Sequence, residues 1–123
     1  MSHSIIYSHN ILQISFSGHV TNDELVLLDK ALFDEWQHDD CEGHLYDYTA
    51  LESISFTEQD VKQVAMLDRN ESLVNGHLKV AIVSVEEYIA KYSRLYVEEM
   101  QTSDWDVRLF DNLEDAKKFL GLS

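Results

Sequence analysis

A chain of 123 residues with 23 acidic against 9 basic side chains carries a formal net charge of −14, which repels polyanions and argues against nucleic acid and against electrostatic docking on anionic lipid. Its hydrophobic content of 45% is that of a globular protein, and its length suits one domain, 1–123, with a real core. No apolar run reaches the roughly 18 residues of a membrane span, the single Cys41 rules out an internal disulfide and fits a reducing cytoplasm, and Met1-Ser2-His3-Ser4 has neither the basic region nor the apolar segment of a secretory leader.

Ile5-Ile6-Tyr7 and Ile11–Phe16 are β-rich runs on either side of polar Ser8-His9-Asn10, the pattern of a hairpin. Ile14 and Phe16 share one face and Gln13 and Ser15 the other, which suits a strand near a sheet edge. Thr21 with Glu24 three residues later is a capping-box pattern, opening a helix that runs to about Gln37. Leu25, Leu28, Leu32 and Trp36 form its buried stripe, and Val26 and Phe33 widen it. Asp29 projects into that arc, either as a polar anchor in a cleft or, the reading given more weight, near its rim or beside a cation.

His38–Gly43 reads as an acidic loop and His44–Tyr48 as a short strand closed by a polar turn. Ser55 or Thr57 caps a second helix from Glu58 to about Asn75, stopped by Asn75-Gly76. Its apolar positions, Val61, Val64, Ala65 and Leu67, break off at Asp68-Arg69-Asn70-Glu71, so this helix is a candidate moving part.

Lys79–Val85 is a β-branched run apolar on both faces, which calls for helices above and below a mainly parallel sheet. The helix that follows, Glu86–Gln101, is apolar over more than half its circumference, with Lys91, Arg94 and Glu98 on the narrow opposite side. If Ile89, Val97 and Met100 pack on the sheet, Tyr88, Tyr92 and Leu95 are left at a margin, where a ring is buried and its hydroxyl stays wet. Two readings of this margin stand side by side. It is one wall of a hydrophobic ligand cleft whose movable wall is Val64 and Leu67, with Arg94 at the rim to meet a carboxylate or phosphate; or it is ordinary packing against the second helix. Asp106–Phe110 is a last strand and Asn112–Leu120 a closing helix, capped by Asn112 or Asp111 and stopped by Gly121. The whole is an α/β fold: a mixed, mostly parallel sheet of about five strands with an N-terminal antiparallel hairpin and about four helices.

Chemical motifs are sparse. There is no Gly-x-Ser-x-Gly elbow and no glycine-rich phosphate loop, so neither enzymatic activity nor a cofactor is expected. His38, Cys41 and His44, with Asp39, Asp40 and Glu42 nearby, are spaced like metal ligands but lack the paired short spacing of a structural zinc site, so no metal is expected either.

Short segments in order along the chain resemble the SpoIIAA-like proteins, of STAS-type fold and related to CRAL-TRIO lipid-binding domains. Gly18-His19-Val20-Thr21 matches that family's Gly-x-Val-Thr entry to the first helix, and Asp47-Tyr48-Thr49 its Asp-x-Ser/Thr strand end. Lys79-Val80-Ala81-Ile82-Val83 matches its Lys-Val-Ala-Ile-Val strand, and Arg94-Leu95-Tyr96 resembles its Arg-Met-Tyr. Val107 and Phe110, then Leu113-Glu114-Asp115-Ala116 with Phe119-Leu120, match its final strand and helix. The resemblance implies a small, non-enzymatic cytoplasmic module that holds an apolar or lipid-like small molecule and associates reversibly with the membrane periphery. It also implies an alternative, a regulatory protein-interaction module of the anti-sigma-factor-antagonist type with Ser55 or Thr57 as the regulated residue. The family's Asp-Ser-Ser-Gly phosphorylation motif is replaced here by Ser53-Ile54-Ser55-Phe56-Thr57. A third use of the excess apolar area is the seam of a homodimer.

Overall fold

The computed structural model describes residues 3–34 and 40–122. Trp36, the helix end expected near Gln37, and His38 and Asp39 lie outside them. Strands β1 (His3–Ser8) and β2 (Ile11–Thr21) form the expected antiparallel hairpin. His9 and Asn10 both have positive φ, 54° and 63°. That is the two-residue turn whose twist matches a right-handed strand pair. Helix α1 (Asn22–Asp34) starts where the Glu24 amide donates to Thr21 Oγ1 at 3.2 Å, while the Glu24 carboxylate lies 3.1 Å from His3 Nδ1. Then follow β3 (Gly43–Ser55), α2 (Glu58–Asn75), β4 (Lys79–Val83), α3 (Glu87–Glu99) with a 3-10 turn at Met100–Thr102, β5 (Asp106–Phe110) and α4 (Leu113–Leu120).

The strands lie in sequence order, β1-β2-β3-β4-β5, antiparallel at the first pairing and parallel thereafter. Successive crossovers that step in one direction place their helices on one face. Among the described residues, α1, α2 and α3 cover the face carrying Leu12, Ile14, Phe16, Val80 and Ile82. Helix α4 covers the other face against Leu45, Ala81 and Val83. Strand β4 is thus buried on both sides, as its unbroken apolar run requires.

Two expectations are corrected. Strand β3 is not a short segment ending near Tyr48; it runs on to Ser55 beside β2. The apparent turn at Asp47-Tyr48-Thr49 is a bulge. Ser15 pairs with Asp47 but Ser17 with Ala50, so β3 carries an extra residue there, and again between Leu51 and Ser53. Asp47 Oδ1 steadies the first bulge by accepting from Thr49 N at 2.9 Å and Thr49 Oγ1 at 2.7 Å, and buried Leu51 and Ile54 hold the extension to the core. The stripe of α2 is also not interrupted. Val61, Ala65, Asp68 and Ser72 recur at helical spacing and all are buried, so two polar residues continue the inward face. Helix α2 begins with a full capping box, Asp60 N to Thr57 Oγ1 at 3.2 Å and Thr57 N to Asp60 Oδ2 at 2.8 Å, which makes Thr57 the cap and leaves Ser55 at the strand end. Its far end is tied to α3 by Arg69 Nη1, which donates to the Glu99 carbonyl at 2.9 Å.

Candidate functional site

Helices α1, α2 and α3 do not close completely over the sheet. Between them lies a chamber of about 90 Å³. Tyr46, Tyr48 and Ile82 of the sheet form its floor, and each of the three helices supplies a wall. The half-buried lining residues Asn22, Leu25, Phe56, Asp60, Val64 and Tyr92 mark its mouth. Most of the lining is apolar or aromatic, and among its described residues none is basic.

Into this apolar space project two carboxyls. Asp29, expected near the rim, is only 9% exposed and stands in the α1 wall; Asp68, from α2, is 3% exposed. The correction for Asp29 has a physical reason: its partner is a second buried acid rather than solvent or a cation. The two side chains are close enough to shift each other's titration, and two buried carboxyls so placed favour holding one proton between them. Burial first, and the Asp68 charge second, keep the Asp29 carboxyl protonated far above the ordinary range. Burial also raises Asp68, against the lowering effect of its hydrogen bonds from Asp29 and Tyr96. The pair titrates as a unit.

Tyr96 of α3 donates its hydroxyl hydrogen to Asp68 Oδ2. The phenols of Tyr46 and Tyr48 are pushed up by burial first and then by the two carboxyls, so both remain neutral. The buried Asp68 Oδ1 and Asn22 Oδ1 meet no permanently protonated donor among the described residues. Both are acceptors.

The expected ligand residues divide. Tyr92 and Val64 line the chamber. Tyr92, Leu95 and Arg94 line a shallower outer groove with Lys62, Lys91 and Glu98. Arg94 pairs with Glu87 along α3. Leu67 and Tyr88 are exposed and line neither space, although the Tyr88 ring stands edge-on to Tyr92, whose other side meets Phe56. Ser55 and Thr57 are exposed at the mouth end of β3 and α2. Asp68, Tyr46 and Tyr48 are the site residues that the sequence reading does not single out; the buried-face spacing 61, 65, 68, 72 is the signal that finds Asp68.

His44 lies in the interior, its ring edge-on to Tyr46 and Trp105, and burial lowers its pKa to about 4. Cys41 Sγ donates to the Gly43 carbonyl at 3.4 Å, and burial raises its thiol. Among the described residues no group of three or more His, Cys, Asp or Glu side chains is arranged to hold a metal ion, and no helix is long and apolar enough to cross a membrane.

Solved structures place this architecture. Over 96% of its length, and 91% of the other chain, the protein is similar to an uncharacterised protein of the DUF3478 family with a SpoIIAA-like fold from Shewanella loihica PV-4, at 20% identity and a TM-score of 0.52. Over 95% of its length, and 94% of the other chain, it is similar to the anti-sigma factor antagonist SpoIIAA in its unphosphorylated form, at 12% identity and a TM-score of 0.55. No family model and no curated protein matches the chain. The fold is therefore the SpoIIAA-like, STAS-type α/β fold.

Proposed function

We propose that this chain is a non-catalytic regulatory module that engages a protein partner through the corner where β3 meets α2. The observation that carries the reading is an aromatic ledge, Phe56–Tyr92–Tyr88, beside exposed Ser55 and Thr57, in a fold aligned over 95% of the chain with an anti-sigma factor antagonist. Tyr88 is 52% exposed and Val85 67% exposed at the start of α3, so the ledge continues into apolar surface. Aromatic side chains with a wet edge suit such contacts. A phosphate on Ser55, near the amide end of α2, would sit in a favourable field. Photo-crosslinking in cells from position 88 is expected to give a discrete protein adduct that Tyr92→Ala removes, while position 114 on α4 gives none. Adducts equal from both positions, or absent from 88, overturn the reading.

A second reading, a module for a small molecule, is favoured by the chamber itself. Its volume is below the roughly 300 Å³ at which pockets for drug-sized ligands begin, so an occupant of the closed state is small and a lipid chain requires the helices to part.

A further inference from the structure

We infer that the chamber under α1, α2 and α3 is a binding site for a small organic cation, a primary alkylammonium whose charged head meets Asp29 and Asp68 and whose apolar body lies towards Leu25 and Val64. This rests on the second reading above, that the chamber takes a small molecule, and it adds the chemistry of the occupant.

Three independent observations converge on that chemistry. The first is hydrogen-bonding polarity. Asn22 Oδ1 is a buried lining acceptor with no partner among the described residues, and Asp68 Oδ1 has at most the proton held with Asp29, so the complementary group is a donor. A carboxylic or phosphate ligand would add acceptors to acceptors.

The second is charge. The chamber holds Asp29 and Asp68 in its walls and Asp60 at its mouth, and among its described lining residues there is no Lys, Arg or His. An acid pair sharing one proton retains one negative charge, which a buried site balances best with a cation. The formal charge of −14 adds a field that draws cations in and repels anions.

The third is the lining. Aromatic faces from Tyr46, Tyr48, Tyr92, Tyr96 and Phe56 surround the space, and such faces attract ammonium groups through the ring quadrupole. An N–H ammonium is preferred to a quaternary one because the carboxyl pair offers acceptor lone pairs that only an N–H donor uses. The size follows from the volume. A chamber of about 90 Å³, below the roughly 150 Å³ of a dry cavity that takes benzene, admits an alkyl chain of a few carbons whose end lies towards the mouth.

The probe is n-butylammonium, with 1-butanol and butyrate as neutral and anionic counterparts, followed by isothermal calorimetry and amide chemical shifts on the full chain. The expected result is saturable binding of the amine, with shifts at residues 29, 68 and 96 and affinity at least about tenfold above that of 1-butanol. Asp68→Asn is expected to lower the affinity at least about tenfold, while Asp104→Asn, a remote exposed acid, leaves it unchanged. Val64→Trp at the mouth leaves both acids in place and should abolish binding by filling the entrance, which keeps the test independent of any folding defect in Asp68→Asn. If 1-butanol binds as tightly as the amine and shifts the same residues, the chamber is a small-molecule site but the cation assignment is overturned. If none of the three probes saturates, water is the occupant and both readings of the chamber fall.

Discussion

Tyr96 on α3 donates its phenolic hydrogen to the Asp68 carboxyl on α2, joining two helices by a polar bond inside a largely apolar interior. Tyr96→Phe keeps the ring and removes only the donor. A buried hydrogen bond to a charged acceptor contributes about 2 kcal/mol, and its loss leaves the acceptor unsatisfied. The variant is expected to lose about that much stability in denaturant titration, with the Asp68 carboxyl rising further. A loss below about 0.5 kcal/mol would place the hydroxyl among contacts of no consequence.

The acid pair makes stability fall with rising pH. Unfolded, Asp29 titrates near 3.8; folded, it stays protonated well above that value because burial and Asp68 disfavour its charge. The native chain then binds more protons than the unfolded one, and stability declines as pH climbs above the ordinary carboxylate range. Asp29→Asn removes that proton while preserving shape. Relative to the parent, the variant should gain with pH, by up to about 1.4 kcal/mol per unit, starting near pH 4. Asp68, Glu71 and the phenols of Tyr46, Tyr48 and Tyr96 face position 29 in both proteins. A stability gap independent of pH contradicts a shared proton.

His44 acts in the opposite sense. Burial lowers its pKa from 6.5 to about 4, so the unfolded chain takes up a proton that the native ring refuses. Its contribution is fully present above about pH 6.5 and is lost as pH falls towards 4, a change of roughly 3 kcal/mol. Ring-proton NMR should show no titration of His44 between about pH 7 and 5, and His44→Phe should flatten the acid limb of the stability curve. A midpoint near 6.5 in the folded protein would refute the burial argument.

Ser55 and Thr57 separate by role. Thr57 Oγ1 accepts the Asp60 amide at the start of α2, so Thr57→Ala is expected to cost about 1 kcal/mol. Ser55→Ala should be neutral within about 0.5 kcal/mol, as for an exposed position outside a cap. A phosphorylatable position that leaves the fold intact is therefore Ser55, and peptide mass spectrometry after incubation with ATP and cell extract should find the modification there.

Gly43 is a packing requirement. A Cβ at this position would stand 2.7 Å from the Lys79 carbonyl oxygen and 2.9 Å from Leu120 Cδ2. The backbone oxygen cannot move aside without disturbing the β3–β4 ladder, so Gly43→Ala should destabilise by about 1–3 kcal/mol. A thermal midpoint equal to that of the parent would show that α4 yields more readily than its packing implies.

Much of the architecture is legible in local pattern. Thr57 with Asp60, Asn75-Gly76, and the unbroken run at Lys79–Val83 are signals confined to a few residues, and the elements end close to them. What local pattern hides is pairing at a distance. Asp47-Tyr48-Thr49 has the composition of a turn, and only the length of β2 shows that β3 bulges and continues. Asp29 looks like a rim residue because the acid that shares its proton is on another helix, inside what reads as a polar quartet. The chamber needs both, so its apolar walls are partly visible in sequence while its polar centre is not.

The two bulged segments of β3 carry a consequence for motion. Strand β4 ends its pairing at Val83 opposite Asp47, so beyond that point β3 is laddered to β2 alone. Leu51 and Ile54, which close one side of the chamber, ride on this half-supported ribbon. Amide hydrogens there should exchange with deuterium sooner than those of residues 43–47, which makes this segment a wall of the chamber able to breathe.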